Sequence, residues 1–188
     1  MEIMDFKKIS DEMFAQARDY VPLMEKTAFV EACAGGCFDR MEVRVGGDKV
    51  LPYYKENVER RSRYLMGALV KLYLRETFEP VGDEAYLMAA DDYDRWAGGH
   101  IINQIERRKV DPAMRSRAFD LLYDYRELEK MLKTEIYSML QAMNDPVGRM
   151  VDEIGKSLTP EALQNSVSEL KSAQKELSIL KQKKGGGA

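Results

Sequence analysis

Residues 111–144 read DPAMRSRAFDLLYDYRELEKMLKTEIYSMLQAMN, the longest stretch of the chain with an uninterrupted helical pattern. Asp111-Pro112 has the cap-plus-proline form of a helix start, so a helix of about 33 residues, about 50 Å long, is predicted. The sequence of this helix follows a heptad pattern, in which the a and d positions are apolar, and Glu135 is the one residue at such a position that does not fit. The other a and d positions hold Ala118, Leu121, Tyr125, Leu128, Leu132, Met139 and Ala142.

The sequence before residue 111 predicts more helices and one strand-like segment. Met41, Val43 and Val45 alternate with charged residues, which favours a small β-hairpin near residues 41–51, with an irregular loop as the alternative. Helices are predicted at about 10–21, 22–35, 52–78, 83–96 and 100–109 from apolar spacing and capping residues. The predicted fold class is therefore all-α, a multi-helix bundle with this hairpin as its only sheet.

The C-terminal sequence differs from the rest because its apolar residues form a narrow seam. Leucines recur every seven residues with a second position three residues after each, which is typical of a coiled-coil helix that meets a partner helix. We expect a helical body at 1–144, a C-terminal helical arm at 145–184 and a flexible glycine tail at 185–188. The predicted partner-binding residues are Leu163, Leu170, Ala173, Leu177 and Leu180.

Composition limits the kinds of function. The net charge of −3 gives no overall attraction to nucleic acid or to anionic membranes. Cys33 and Cys37 are the only cysteines and His100 is the only histidine, so a tetrahedral zinc site is not expected, and the two thiols are predicted to be reduced and partly buried. No stretch approaches the roughly 18 apolar residues of a membrane span. A cytoplasmic location is expected.

Two acidic pairs suggest a metal site. Glu56 and Glu59, then Glu76 and Glu79, resemble the E-x-x-E…E-x-x-D pattern of all-α nucleoside triphosphate pyrophosphatases, with Glu79 where that family has aspartate. The resemblance implies a divalent metal and nucleotide hydrolysis. The alternative is structural, because Glu56 and Glu59 each precede an arginine by four residues, the favourable order for an ion pair on a helix.

A second candidate site is a polar helix face after Gly98-Gly99. Helix, glycine corner and helix over residues 83–109 are compatible with a helix-turn-helix, and Asn, Gln and Arg can read base edges. The predicted face for nucleic acid or a charged partner holds His100, Asn103, Gln104, Arg107, Arg108, Lys109, Arg115 and Arg117. A polar outer face on an amphipathic helix is the alternative.

Charge is also distributed unevenly. Residues 79–96 are strongly acidic and residues 107–117 strongly basic. The two segments are expected either to pair within one molecule or to dock head to tail between copies.

Taken together, these patterns favour a non-enzymatic assembly, adaptor or inhibitory protein that acts through protein–protein contacts, without cofactor or metal. A homo-oligomer is expected, and a small, acidic chain without catalytic motifs also suits a bacteriophage or other mobile element. The alternatives are a helix-turn-helix-like nucleic-acid-binding protein and, third, a metal-dependent nucleotide pyrophosphatase.

Overall fold

Six α-helices and four β-strands occur in the part of the chain described by a computed structural model, residues 5–44 and 50–145. The helices are α1 (Asp11–Gln16), α2 (Leu23–Ala34), α3 (Val58–Ala68), α4 (Ala90–Gly98), α5 (Ile101–Arg107) and α6 (Arg115–Asn144). The strands are β1 (Phe38–Arg44), β2 (Val50–Glu56), β3 (Pro80–Val81) and β4 (Glu84–Met88). Short 3-10 helical turns lie at Gly35–Cys37 and Arg108–Val110, and a π-helical turn lies at Leu69–Tyr73.

The all-α prediction is wrong. Helical residues make up 64% of the described chain, but two antiparallel sheets of two strands each accompany them, so the fold is mixed. The predicted hairpin is present and longer than expected, with Phe38 opposite Glu56 at one end and Arg44 opposite Val50 at the other. The fold is therefore a mixed α/β arrangement rather than a helical bundle.

The single helix predicted from residue 52 to residue 78 is divided into three parts. Residues 50–56 form β2, and Asn57 caps α3 by accepting a hydrogen bond from the Arg60 amide at 2.9 Å. Leu69–Tyr73 then forms a π-helical turn, and residues 74–78, the predicted end of the helix, lie outside any helix or strand. Pro52 is compatible with a strand as well as with a helix start, because its missing N–H costs nothing where that position faces away from the paired strand.

The helix predicted from residue 83 to residue 96 is likewise too long. Residues 84–88 form β4, which pairs with β3 around a turn where Gly82 takes a φ of +55°. Only the second half of the predicted helix, α4, is helical. Five residues of extended backbone pack against α3 here, an interaction distant in sequence that periodicity alone does not reveal.

The long helix α6 forms the backbone of the core, as predicted. Leu121, Leu128 and Leu132 are fully buried, whereas Tyr125 is half-buried. Further along, Ile136 is buried and Glu135 is exposed. The buried face therefore follows the 3.6-residue period of a straight helix in a globular core rather than a strict heptad, which explains the misfit at Glu135.

Candidate protein-binding groove

Two buried charges hold α2 and α6 together. Among the described residues, Lys26 and Asp124 are the buried charged side chains, at 3% and 4% exposure. The Lys26 ammonium donates to one carboxylate oxygen of Asp124. The other oxygen accepts from the Val21 amide at 3.0 Å and from the Tyr73 hydroxyl at 2.9 Å. A buried carboxylate needs this many partners to offset the loss of water, so the cluster fixes four segments at one point.

The buried cluster is built for structure rather than for proton transfer. Burial, followed by the hydrogen bond to Asp124, raises the pKa of Tyr73 far above its ordinary value, so its hydroxyl stays protonated and remains a donor. On the solvent side, Glu127 lies 3.6 Å from the Lys26 ammonium, which also sits 5.1 Å from the centre of the Tyr20 ring. The Lys26 ammonium is thus surrounded by Asp124, Glu127 and the Tyr20 ring, and the side chain is buried.

An open groove of about 600 Å³ lies directly above this ion pair, between α2 and α6. We call it the α2–α6 groove. Its apolar lining comes from Leu23 and Val30 on α2 and from Met131 on α6. Leu23 is 62% exposed, which is a high value for a leucine at the wall of a groove. A large apolar side chain left in water next to a concave surface is typical of a binding site.

A second concavity of about 400 Å³, here called the trough, lies beside the groove near the start of α2. The two adjoin at Glu127, which lines both. Tyr20 and Tyr123 line the trough and are 57% and 69% exposed. Tyrosine is enriched at protein interfaces because it combines apolar area with a polar end.

The rim of this surface is acidic. Three exposed carboxylates come from α6, one from α2 and one from the segment before α2, and only Lys130 lines the groove as a cation without a buried counterion. The local field therefore attracts positive charge, although the whole chain carries only −3. The rim carboxylates belong to Asp19, Glu31, Asp120, Glu127 and Glu135.

Most of the predicted nucleic-acid face is used inside the molecule. Gln104 accepts from the Ile9 amide at 2.8 Å and donates to the Gly99 carbonyl at 2.7 Å. Arg108 donates to the Ile9 carbonyl at 2.6 Å and pairs with Asp11 at 3.0 Å. These contacts fasten the segment before α1 onto α5, so neither side chain is free to read a base.

The remaining basic residues of that face divide into bound and exposed side chains. Arg115 donates to the Lys109 carbonyl at 3.0 Å, and Arg117 donates to the Ala15 carbonyl in the last turn of α1. Lys109 pairs with Glu106 at 2.6 Å and lies 4.7 Å from the Phe119 ring centre. His100, Asn103, Arg107 and Arg115 are exposed. The prediction of nucleic-acid binding now depends on these four.

The two oppositely charged segments form no ion pair with each other in the described part of the chain. Within residues 5–44 and 50–145, no ion pair links the acidic segment 79–96 to the basic segment 107–117. Glu84 pairs instead with Arg60 at 2.8 Å, and Glu106 pairs with Lys109 and Arg126. Pairing between the segments within one molecule is therefore wrong for the described residues, and head-to-tail docking stays a prediction.

The acidic pairs of the pyrophosphatase resemblance do not lie on one helix, because the first is divided between a strand and a helix and the second lies outside any helix or strand. Glu56 is on β2 and pairs with Arg61, whereas Glu59 is on α3 and lies 3.8 Å from Arg63. Among the described residues, no three histidine, cysteine, aspartate or glutamate side chains come together in a way that could hold a metal ion. The structural explanation, an arginine partner for each glutamate, fits these contacts, although the partner of Glu56 is one residue beyond the expected one.

The two cysteines are buried and reduced, close to the prediction of partly buried thiols. The Cys37 thiol donates to the Cys33 carbonyl at 3.3 Å. Burial raises the pKa of Cys33 to about 12 and that of Cys37 to about 11, because a thiolate there would lose its hydration. At neutral pH neither side chain is a nucleophile.

Sequence reasoning missed the Lys26–Asp124 pair. The available signal was position, because Asp124 stands between Leu121 and Leu128 on the apolar face of α6. Lys26 stands three residues before the buried Phe29 in the same way. A charge on an apolar helix face predicts a buried partner. The predicted partner-binding residues from Leu163 to Leu180 lie outside the described residues.

Comparison with models of known families, with curated proteins and with solved structures found no match for this chain. None of the described helices combines the length and the apolar character needed to cross a membrane.

Proposed function

We propose that the protein is a non-enzymatic adaptor whose α2–α6 groove binds an amphipathic helix of another protein, with lysines and arginines flanking the apolar face of that helix. The observation that carries the proposal is the combination of an exposed apolar lining, with Leu23 at its wall, and an acidic rim above a rigid ion pair. Binding of a helix in a groove needs these parts: apolar anchors for affinity and complementary charge for orientation.

The dimensions of the groove support a helical occupant. The lining residues extend over about two turns of each helix, from Leu23 to Glu31 on α2 and from Glu127 to Glu135 on α6. A helix laid between them presents apolar residues at spacings of three and four toward the lining. Its flanking cations then face the rim carboxylates. Because the Lys26–Asp124 pair fixes both walls, the groove is largely formed before binding, which reduces the entropic cost.

The proposal is tested with a designed helical peptide of about 20 residues, leucine on one face and lysine on the others, and a counterpart with glutamate in place of lysine. The lysine peptide is expected to bind more tightly, with an affinity that falls as salt rises. Reversing Glu31 and Glu135 together to lysine should invert this preference. Equal binding of both peptides by the unchanged protein would overturn the proposal.

The site of binding is tested with neighbouring residues of α2. Leu23→Gln should weaken the lysine peptide about tenfold, because burying a leucine side chain is worth about 1.5–3 kcal/mol. Met24→Gln is the control, since Met24 is 85% exposed and does not line the groove. In methyl NMR, the Met131 resonance should shift on titration and the Met24 resonance should not. Equal losses in the two variants would place the peptide elsewhere.

The leucine seam at residues 163–180 stays a separate prediction of partner binding. The groove proposal does not depend on it. Neither surface implies a chemical reaction.

A further inference from the structure

The hairpin formed by β1 and β2 has one open edge. Among the described residues β1 pairs only with β2. Every residue from Asp39 to Arg44 is exposed, and the side chains of Arg40, Glu42 and Arg44 form no ion pair with any described residue. On β2 the side chains of Pro52, Tyr54 and Glu56 are half-buried, so β1 is the exposed half of the ribbon. A two-stranded ribbon is only marginally stable by itself, and an unpaired strand edge is a template for another strand.

The direction of the backbone groups on β1 follows from two contacts. Tyr54 bonds the Asn144 side chain through both its N–H, at 3.0 Å, and its carbonyl, at 2.8 Å. The backbone of Tyr54 therefore faces away from β1, and its opposite residue Arg40 faces away from β2. The Asn57 backbone amide donates to the Cys37 carbonyl at 2.8 Å. The backbone groups of odd-numbered β1 residues therefore point toward β2 and form the hydrogen bonds within the hairpin.

The alternation leaves a defined set of free groups at the outer edge of β1. The N–H and carbonyl groups of the even-numbered residues point outward, because residues alternate between the two directions along an antiparallel strand. These residues are Phe38, Arg40, Glu42 and Arg44.

We propose that two copies of the chain pair through the outer edges of β1, antiparallel about a two-fold axis at Met41, to form one four-stranded sheet. This register places Arg40 opposite Glu42 of the second copy and Glu42 opposite its Arg40, with the outward backbone groups of these residues bonded to each other. The two-fold axis makes both ion pairs equivalent.

Charge selects this register over its neighbours. Centring the pair on Arg40 sets that arginine against itself, and centring it on Glu42 does the same with the glutamate, an arrangement that is destabilising in a sheet. Centring it on Val43 restores an attraction, between Glu42 and Arg44, but pairs only three described residues of each strand. Only the register at Met41 uses all seven residues of β1 and brings opposite charges together.

The odd-numbered face of the sheet adds apolar area. Met41, Val43 and Tyr53 share this face of the hairpin and are 49%, 44% and 46% exposed. In the four-stranded sheet the two Met41 side chains become neighbours across the axis, and the two apolar sets form one strip. Burial of exposed apolar side chains is the second source of stability for the pair.

The register is tested by cross-linking. Met41 faces Met41 of the second copy at a non-hydrogen-bonded position, where Cβ atoms are about 4.5–5.5 Å apart, so Met41→Cys should form an intermolecular disulfide under mild oxidation. Val43→Cys is the matched control, because its opposite residue is Asp39 of the second copy. The native cysteines are buried and do not interfere. Equal cross-linking of the two variants would overturn the register.

The ion pairs are tested by charge exchange, with mass in solution as the readout and circular dichroism as the check on folding. Arg40→Glu and Glu42→Arg should each be monomeric alone, since each sets like charges opposite one another. Mixed in equal amounts, they should form a heterodimer, because each arginine again faces a glutamate. A chain that stays monomeric to about 100 μM, or a dimer that survives both single changes, would overturn the proposal. If β1 instead binds an extended peptide of another protein, the chain alone stays monomeric.

Discussion

Neutralising Asp124 tests whether the ion pair beneath the groove holds the fold together. Asp124→Asn keeps the shape of the side chain but strands the Lys26 ammonium, which is 3% exposed, without its buried counterion. Removing one partner of such a pair costs about 3–5 kcal/mol. A domain of this size is typically stable by about 5–15 kcal/mol, so the variant should remain folded but melt roughly 10 °C lower. Circular dichroism measures both quantities: the free energy of unfolding from a urea titration and the melting temperature from a thermal scan.

Two further variants make this experiment decisive. Asp120→Asn, on an exposed carboxylate one turn earlier in α6, should change stability by less than about 0.5 kcal/mol. Adding Lys26→Met to Asp124→Asn removes the stranded charge and should recover more than half of the loss. A cost below about 1 kcal/mol for Asp124→Asn, or no recovery in the double variant, would show that the buried pair is not the anchor described above.

Three more predictions concern the core. Leu128→Ala should destabilise the protein by about 2–5 kcal/mol in urea unfolding, because Leu128 is fully buried at the centre of α6. Gly67→Ala should be destabilising by about 1–3 kcal/mol, since a methyl group there collides with the Tyr86 carbonyl oxygen, whereas Gly35→Ala, which meets nothing within 4 Å, should be neutral or slightly stabilising in the same assay. Alkylation of Cys33 at pH 8 should be about 1,000-fold slower in the folded chain than in urea, and because the folded thiol holds its proton more tightly, stability should fall as the pH rises above about 9.

The sequence predicted those elements whose pattern is local. The Ser10 cap of α1, the hairpin near residue 41 and the α6 core positions Ala118, Leu121, Leu128 and Leu132 follow from spacing and capping, and the structure confirms them. Of the other α6 positions, Tyr125 and Met139 are half-buried and Ala142 is exposed. Two errors in secondary structure concern extended segments whose partners are distant or whose residues also suit a helix start. Pro52 is ambiguous in this way, and β4 depends on packing against α3. A third error is the first helix, which ends at Gln16 rather than near Val21.

Side-chain roles were harder to predict than elements. The polar face of α5 has residue types suited to nucleic acid, but Gln104 and Arg108 bind the backbone near Ile9, nearly 100 residues away in sequence. Donor and acceptor groups look the same in a sequence whether they are free or satisfied inside the fold. The α2–α6 groove was missed for a related reason: its two walls are about 100 residues apart.

The contact between Asn144 and Tyr54 determines how far the hairpin can be extended. The Asn144 amide occupies the outward backbone groups of Tyr54, and Pro52, the next outward position on β2, has no N–H to offer. Strand addition is therefore blocked at Tyr54 and Pro52 on the β2 side of the hairpin, whereas no described residue occupies the outward backbone groups of β1. A sheet with one open edge stops growing once that edge is filled, so an exposed strand that in other contexts seeds fibres is restricted here to a closed, finite assembly.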